Sequence, residues 1–132
     1  TKETCFWERF GEGLRDQPVD KRALSAKLLA DRVWKRVEIA PEAPAQCLDL
    51  RDVETLRRLG ADGGTFLAPY GVTQAWAGAL MAHPAGIEGL VYSSRLNTPE
   101  QCLALFDRPR FTATPSILSA TVLPVCPTDD PG

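Results

Sequence analysis

Apolar and aromatic residues stand at positions 5, 6, 7 and 10 of the opening segment KETCFWERF, and Gly11 and Gly13 follow as stop signals. That spacing predicts a short helix over residues 2–10 with one buried face. Glu8 comes one position after Trp7 and lies beside the apolar stripe rather than opposite it. Asp20 is placed to cap a second helix over 21–32, KRALSAKLLADR, with Leu24 and Leu28 facing inward and Ala23 and Leu29 as further candidates for that face. The pattern then changes to alternation in VWKRVEIA, 33–40, where Trp34, Val37 and Ile39 are set among charged neighbours, and this predicts a strand.

PEAPAQ, 41–46, is a loop, because Pro41 and Pro44 remove backbone donors and fix φ. CLDL, 47–50, predicts a short strand. Asp52 then caps a helix whose apolar positions Val53, Leu56 and Leu59 end at Gly60. After the turn-rich ADGGTFLAPYG, 61–71, residues Val72, Ala75, Trp76, Ala79, Leu80 and His83 follow the helical i, i+3, i+4, i+7 rule, and Pro84 closes that helix. GLVYSS (89–94) and CLALF (102–106) predict two strands joined by a polar turn. The RPRF turn (108–111), a further strand over 116–125 and a disordered tail complete the chain, which thus alternates β and α.

Length sets the scale: 132 residues suit one domain, assigned to 1–125 with a tail at 126–132, and allow about two thirds of the unfolded surface to be buried. With 15 Lys+Arg against 17 Asp+Glu there is no basic stripe to neutralise phosphates, so no nucleic-acid partner is expected. No run approaches 18 apolar residues and the N-terminus lacks the pattern of an export signal, which leads to the expectation of a cytoplasmic protein with no membrane partner. Cys5, Cys47, Cys102 and Cys126 are far apart, with only His83 as a second ligand type, and are read as reduced, buried small hydrophobes rather than metal ligands. Because the chain opens on Thr1 in helix-like sequence, an N-terminal portion is expected upstream.

Candidate chemistry narrows quickly. The single histidine, His83, sits in the last turn of a helix, where imidazole interacts well with the helix C-terminus, so hydrolytic triads are not supported. Gly63-Gly64 and Gly71 match no phosphate-cradling motif. What is left is Glu8 on the opening helix, and the cluster of Tyr92, Ser94 and Arg95 where one strand ends. Ser93 and Ser94 point to opposite faces of that strand, since the side-chain period is two. Ser94 and Arg95 also read as ordinary polar residues opening a surface turn, and Glu8 as a solvated helix residue.

The order of motifs settles which family the chain resembles. TKETCFWERF resembles the segment of the RES domain in which Thr-x-Phe-x-Glu supplies a glutamate, here Thr4, Phe6 and Glu8. CLDLRD is similar to that family's strand ending in Asp-Leu, and YGVTQAWAGAL to its Thr-Gln-led helix. Glu88, Gly89, Leu90, Tyr92, Ser94 and Arg95, followed by Cys102, Ala104, Leu105 and Phe106, resemble its serine strand. The likeness covers residues 1 to about 108.

The resemblance implies an α+β fold of the ADP-ribosyltransferase-like kind, a mixed sheet with flanking helices, whose N-terminal strands and family arginine would lie upstream of Thr1. It implies a toxin of a bacterial toxin–antitoxin pair, held inactive by an Xre-like antitoxin. NAD would be its substrate, with no further cofactor. The reaction would be hydrolysis or phosphorolysis of the nicotinamide–ribose bond, or transfer of ADP-ribose to a protein. The resemblance puts the family glutamate on Glu8, as the catalytic carboxylate, and the family serine on Ser94. Ser94 would bind a ribose hydroxyl or the amide; Arg95 either pairs with the pyrophosphate or forms a structural salt bridge; Tyr92 either stacks on nicotinamide or packs in the core. A truncated, non-catalytic domain that still binds the antitoxin is the alternative.

Overall fold

The computed structural model describes residues 1–30, 32–97, 99–113 and 117–123. The chain begins with a helical segment built from α1 (Lys2–Phe6), a π-type stretch over Trp7–Gly11, and α2 (Glu12–Arg15). Thr1 caps α1 by accepting from the Thr4 N–H. Helix therefore runs through Gly11 and Gly13, where the sequence predicted a stop. Gly11 is buried inside it, and a Cβ there would meet Trp7 Cε3 at 2.9 Å and Leu96 Cδ1 at 3.1 Å. Close packing of a loop explains this glycine, rather than helix termination.

The predicted 21–32 helix is reduced to α3 (Ala26–Ala30), preceded by a 3-10 turn over Val19–Lys21 that contains Asp20. Asp20 thus lies inside a turn instead of capping a helix. Arg22 donates to the Gln17 and Arg15 carbonyls, and Ala23 N–H donates to Gln17 Oε1, which ties 22 and 23 to the preceding helix end. Leu28 and Leu29 are exposed, so no packed face supports a longer helix.

Two sheets follow. β1 (Trp34–Ile39) pairs antiparallel with β5 (Leu118–Leu123) as a two-stranded ribbon, with Val37 opposite Ala120. The second sheet is mixed: β2 (Cys47–Asp49) runs parallel to β3 (Gly89–Ser93), which pairs antiparallel with β4 (Gln101–Leu105). Two helices make the crossover from β2 to β3, α4 (Val53–Leu59) and α5 (Tyr70–Ala82). The fold is α+β, as the sequence led us to expect. Residues 108–111, read as a turn, instead lead into a short helix, α6 (Pro109–Ala113), with proline at its first position, where a missing N–H costs nothing. Positions 116, 124 and 125 of the last predicted strand, and the tail, lie outside the described residues.

Local chemistry accounts for α4: Asp52 accepts from the Thr55 N–H at 2.8 Å, and Gly60 ends the helix with φ of +69°. α5 starts at Tyr70, two residues before the prediction. Its inner stripe is Thr73, Trp76, Ala77 and Leu80, whereas Val72, Ala75, Ala79 and His83 are exposed, so the buried face is rotated by about one residue from the predicted one. Trp76 packs edge-on against Phe66. The core joins Leu80, Ile87 and Leu90 with the partly buried Leu48, Leu50, Leu59 and Phe106. β3 is thereby clamped at its start, and its far end reaches toward the opening helix.

Candidate functional site

Because β2 and β3 are parallel, their C-terminal ends share one edge of the mixed sheet. Ser93 is exposed there and Ser94 is buried, 1% accessible, so the two hydroxyls diverge as the strand period requires. Ser94 Oγ donates to Glu8 Oε1 at 2.6 Å across a sequence separation of 86 residues. This length is typical of a hydroxyl bonded to an ionised carboxylate. The same Oγ accepts from the Asn97 N–H at 2.9 Å. With its proton given to Glu8 and one lone pair filled, Ser94 has one acceptor position left, and the Cys102 thiol lies within hydrogen-bonding reach of this hydroxyl.

Glu8 sits in the π-type stretch, an irregularity that often accompanies functional positions in helices. Its residue is exposed, while its Oε1 is held by Ser94. Four consecutive loop residues dock along one face of the opening helix. Ser94 contacts Glu8, Arg95 pairs with Glu12 at 3.3 Å, Leu96 lies against Gly11, and Asn97 Nδ2 donates to Thr4 Oγ1 at 3.0 Å. Thr4 is buried, 3% accessible, and its hydroxyl is 2.7 Å from that of Thr1. Positions 4, 8, 11 and 12 are the helical neighbours that such a face requires.

Tyr92 lies opposite Cys102 in the β3–β4 register and, two residues before Ser94, on the same face of the strand. Burial, then the neighbouring Cys102 and Glu8, push its phenol up to about 12. Burial, followed by Glu8, also raises the Cys102 thiol. Both groups are therefore neutral at physiological pH, and the carboxylate of Glu8 stands beside a phenol and a thiol that carry no charge of their own.

The structure thus brings together Glu8, Ser94 and Tyr92. Arg95 is beside them but engaged by Glu12, in a pair with both side chains about half exposed, which contributes little to stability and is free to re-pair. The cysteines differ from expectation: Cys5 is exposed and Cys47 and Cys102 are half-buried, all three free, because α1 turns Cys5 outward and the small sheet covers the others from one side; Cys126 lies outside the described residues. His83 ends α5 and its Nδ1 accepts from the Ala85 N–H at 3.1 Å, a local structural arrangement. Among the described residues no group of three or more His, Cys, Asp or Glu is placed to hold a metal ion, and no helix is long and apolar enough to cross a membrane.

Sequence reasoning did not single out Asn97, although a Ser followed three residues later by a backbone donor is a familiar turn signal. Thr4 entered only as a motif position; its i to i+4 spacing from Glu8 on a helix was the available cue. At the same sheet edge, Arg51 makes a two-pronged contact with Asp49, holding that carboxyl down at about 2.

The family model of the RES domain matches residues 1–125 of the chain. Comparison with curated proteins gave no match, and comparison with solved structures gave none.

Proposed function

We propose, from the premise that this chain belongs to the RES domain family, that it is an NAD-consuming toxin domain which breaks the nicotinamide–ribose bond, with Glu8 as the catalytic carboxylate. The observation that carries this reading is the 2.6 Å contact between Glu8 and Ser94, two residues that the sequence separates by 86 positions. At family level the domain is toxin-like and NAD-related; the particular reaction, the residue roles, the assignment of 1–125 as one ADP-ribosyltransferase-like domain and the antitoxin partner are our reading.

When the bond breaks, its electron pair leaves with nicotinamide, which becomes neutral, and positive charge builds on the ribose. A leaving group that departs from a cation needs no strong general acid, so a site whose phenol and thiol remain protonated suffices. Glu8 Oε2 is available to face the ribosyl cation, and stabilising it needs only the charge, with no proton transfer. Ser94 fixes the other carboxylate oxygen; buried as it is, its own oxygen is out of reach of the ribose and the amide, and its part in the reaction is to position Glu8. Tyr92 supplies a flat apolar wall against which the nicotinamide ring stacks. Arg95 exchanges Glu12 for the pyrophosphate, which it can meet with two parallel N–H bonds.

Water, phosphate or a protein side chain then captures the cation, and these three outcomes need the same carboxylate. Mass spectrometry of NAD products, with and without phosphate, tests the proposal: nicotinamide accompanied by ADP-ribose, by its 1-phosphate, or by a modified protein supports it and identifies the acceptor. Intact NAD under all conditions refutes it. A second reading, a non-catalytic module for an Xre-like antitoxin, is favoured by the exposed apolar residues Val37, Leu103 and Val122, and predicts that last result together with antitoxin binding.

A further inference from the structure

We infer that Thr4 and Asn97 form a latch that sets the direction of the Ser94 hydroxyl proton, and that both are positioning residues for Glu8. The inference rests on the proposed function for its kinetic consequence and on geometry alone for its structural one.

Serine hydroxyls rotate freely unless their acceptor positions are occupied. In this site the backbone N–H of Asn97 fills a lone pair of Ser94 Oγ at 2.9 Å, and the hydroxyl proton must then point elsewhere; Glu8 Oε1, 2.6 Å away, receives it. Asn97 holds that place because its side chain is anchored. Nδ2 donates to Thr4 Oγ1 at 3.0 Å, and Thr4 in turn lies 2.7 Å from the Thr1 hydroxyl that caps the helix. The polar chain Asn97 to Thr4 to Thr1 is partly buried, and Thr4 itself is 3% accessible, so water is a poor substitute. Thr4 and Glu8 are four residues apart on one helix. One helix face therefore carries both the carboxylate and the anchor of the loop that orients it, and any slip of the loop moves Ser94 relative to Glu8.

Without the latch, Asn97 N–H withdraws, the hydroxyl samples other rotamers, and the carboxylate loses its fixed orientation. Loss of the carboxylate's orientation lowers kcat, and loosening the loop that also carries Arg95 weakens the pyrophosphate contact, so KM rises with it. Thr4→Val keeps the shape of the side chain and removes its acceptor; Asn97→Ala removes the donor at a half-buried loop position; Thr4→Ser keeps the hydroxyl. Each is compared with the parent protein by nicotinamide release and by amide hydrogen exchange.

The expected result is a kcat about 10-fold lower for Thr4→Val and for Asn97→Ala with a raised KM, and Thr4→Ser within about 3-fold of the parent in both constants. The double variant Thr4→Val/Asn97→Ala should be no worse than either single one, because both remove the same contact. Exchange at residues 95–97 should quicken by about 10-fold in both single variants, with the β3–β4 amides unchanged. Additive kinetic losses, or Thr4→Ser behaving like Thr4→Val, overturn the latch. Unchanged exchange at 95–97 overturns it as well, and does so even if the parent releases no nicotinamide, the separate result that would refute the functional reading. Should Thr4→Val not fold, Asn97→Ala and Thr4→Ser decide the matter alone.

Discussion

Replacing Ser94 by Ala removes a single oxygen and, with it, two hydrogen bonds, which makes Ser94→Ala an incisive perturbation. The bond to Glu8 ends on an exposed residue, so water partly re-solvates the carboxylate and the net loss is about 1 kcal/mol. The Asn97 N–H loses its acceptor in a partly buried turn, at a further cost of about 1 kcal/mol. The backbone bond from Ser94 N–H to Glu100 O, 2.7 Å, survives, so the strand end stays in place. The sum, about 2 kcal/mol, corresponds to a fall in Tm of about 6–10 °C for a domain of this size. Ser93→Ala, one residue earlier and exposed, supplies the control and should change stability by no more than about 0.5 kcal/mol. Urea titrations followed by tryptophan fluorescence, with calorimetry beside them, read both variants. If Ser94→Ala is no more destabilising than Ser93→Ala, the hydroxyl is not bridging helix and loop, and the site as described is wrong.

Gly11→Ala in an unconstrained helix would stabilise by about 0.5–1 kcal/mol, but here the new Cβ meets Trp7 at 2.9 Å and Leu96 at 3.1 Å, so we expect a loss of about 1–2 kcal/mol and slower nicotinamide release. A gain in Tm would show that Leu96 does not dock on Gly11. Asp49 is held at about 2, below its ordinary 3.8, first by the Arg51 side-chain hydrogen bond and then by the Arg51 N–H. A carboxyl depressed in the folded state stabilises above the unfolded value, so this contribution is complete above about pH 4 and lost as pH falls toward about 2. The difference in urea midpoint between the parent and Asp49→Asn should accordingly shrink over that interval; a difference constant from pH 5 to pH 2 contradicts the pairing.

Elements whose ends carry their own chemistry were legible in the sequence. Asp52 and Gly60 bound α4 because cap and stop act within one turn, and the β3 and β4 strands were evident from apolar runs around a polar turn. What failed was any inference in which a distant partner decides. Gly11 reads locally as a stop, yet it is helical because Leu96 approaches it from 85 residues away in sequence. Residues 21–32 have helical periodicity, but Leu28 and Leu29 remain exposed instead of forming a buried face. The pairing of β1 with β5 could not be read from two patterns so far apart, nor could the one-residue rotation of the α5 stripe, which follows from how Trp76 meets Phe66. Glu8, Tyr92, Ser94 and Arg95 were singled out from the residues themselves, and the family likeness then gave Glu8 and Ser94 their expected roles. Asn97 was not, because its importance lies in a backbone N–H that any residue could offer and in a side-chain contact made across the fold.

The most direct measurement is nicotinamide release from NAD by the protein and by its Glu8→Gln variant, which keeps an oxygen for Ser94 and removes only the charge. Stabilisation of a ribosyl cation by that charge predicts a rate at least about 100-fold lower in the variant, at equal folding stability. Equal rates in the two proteins would contradict it.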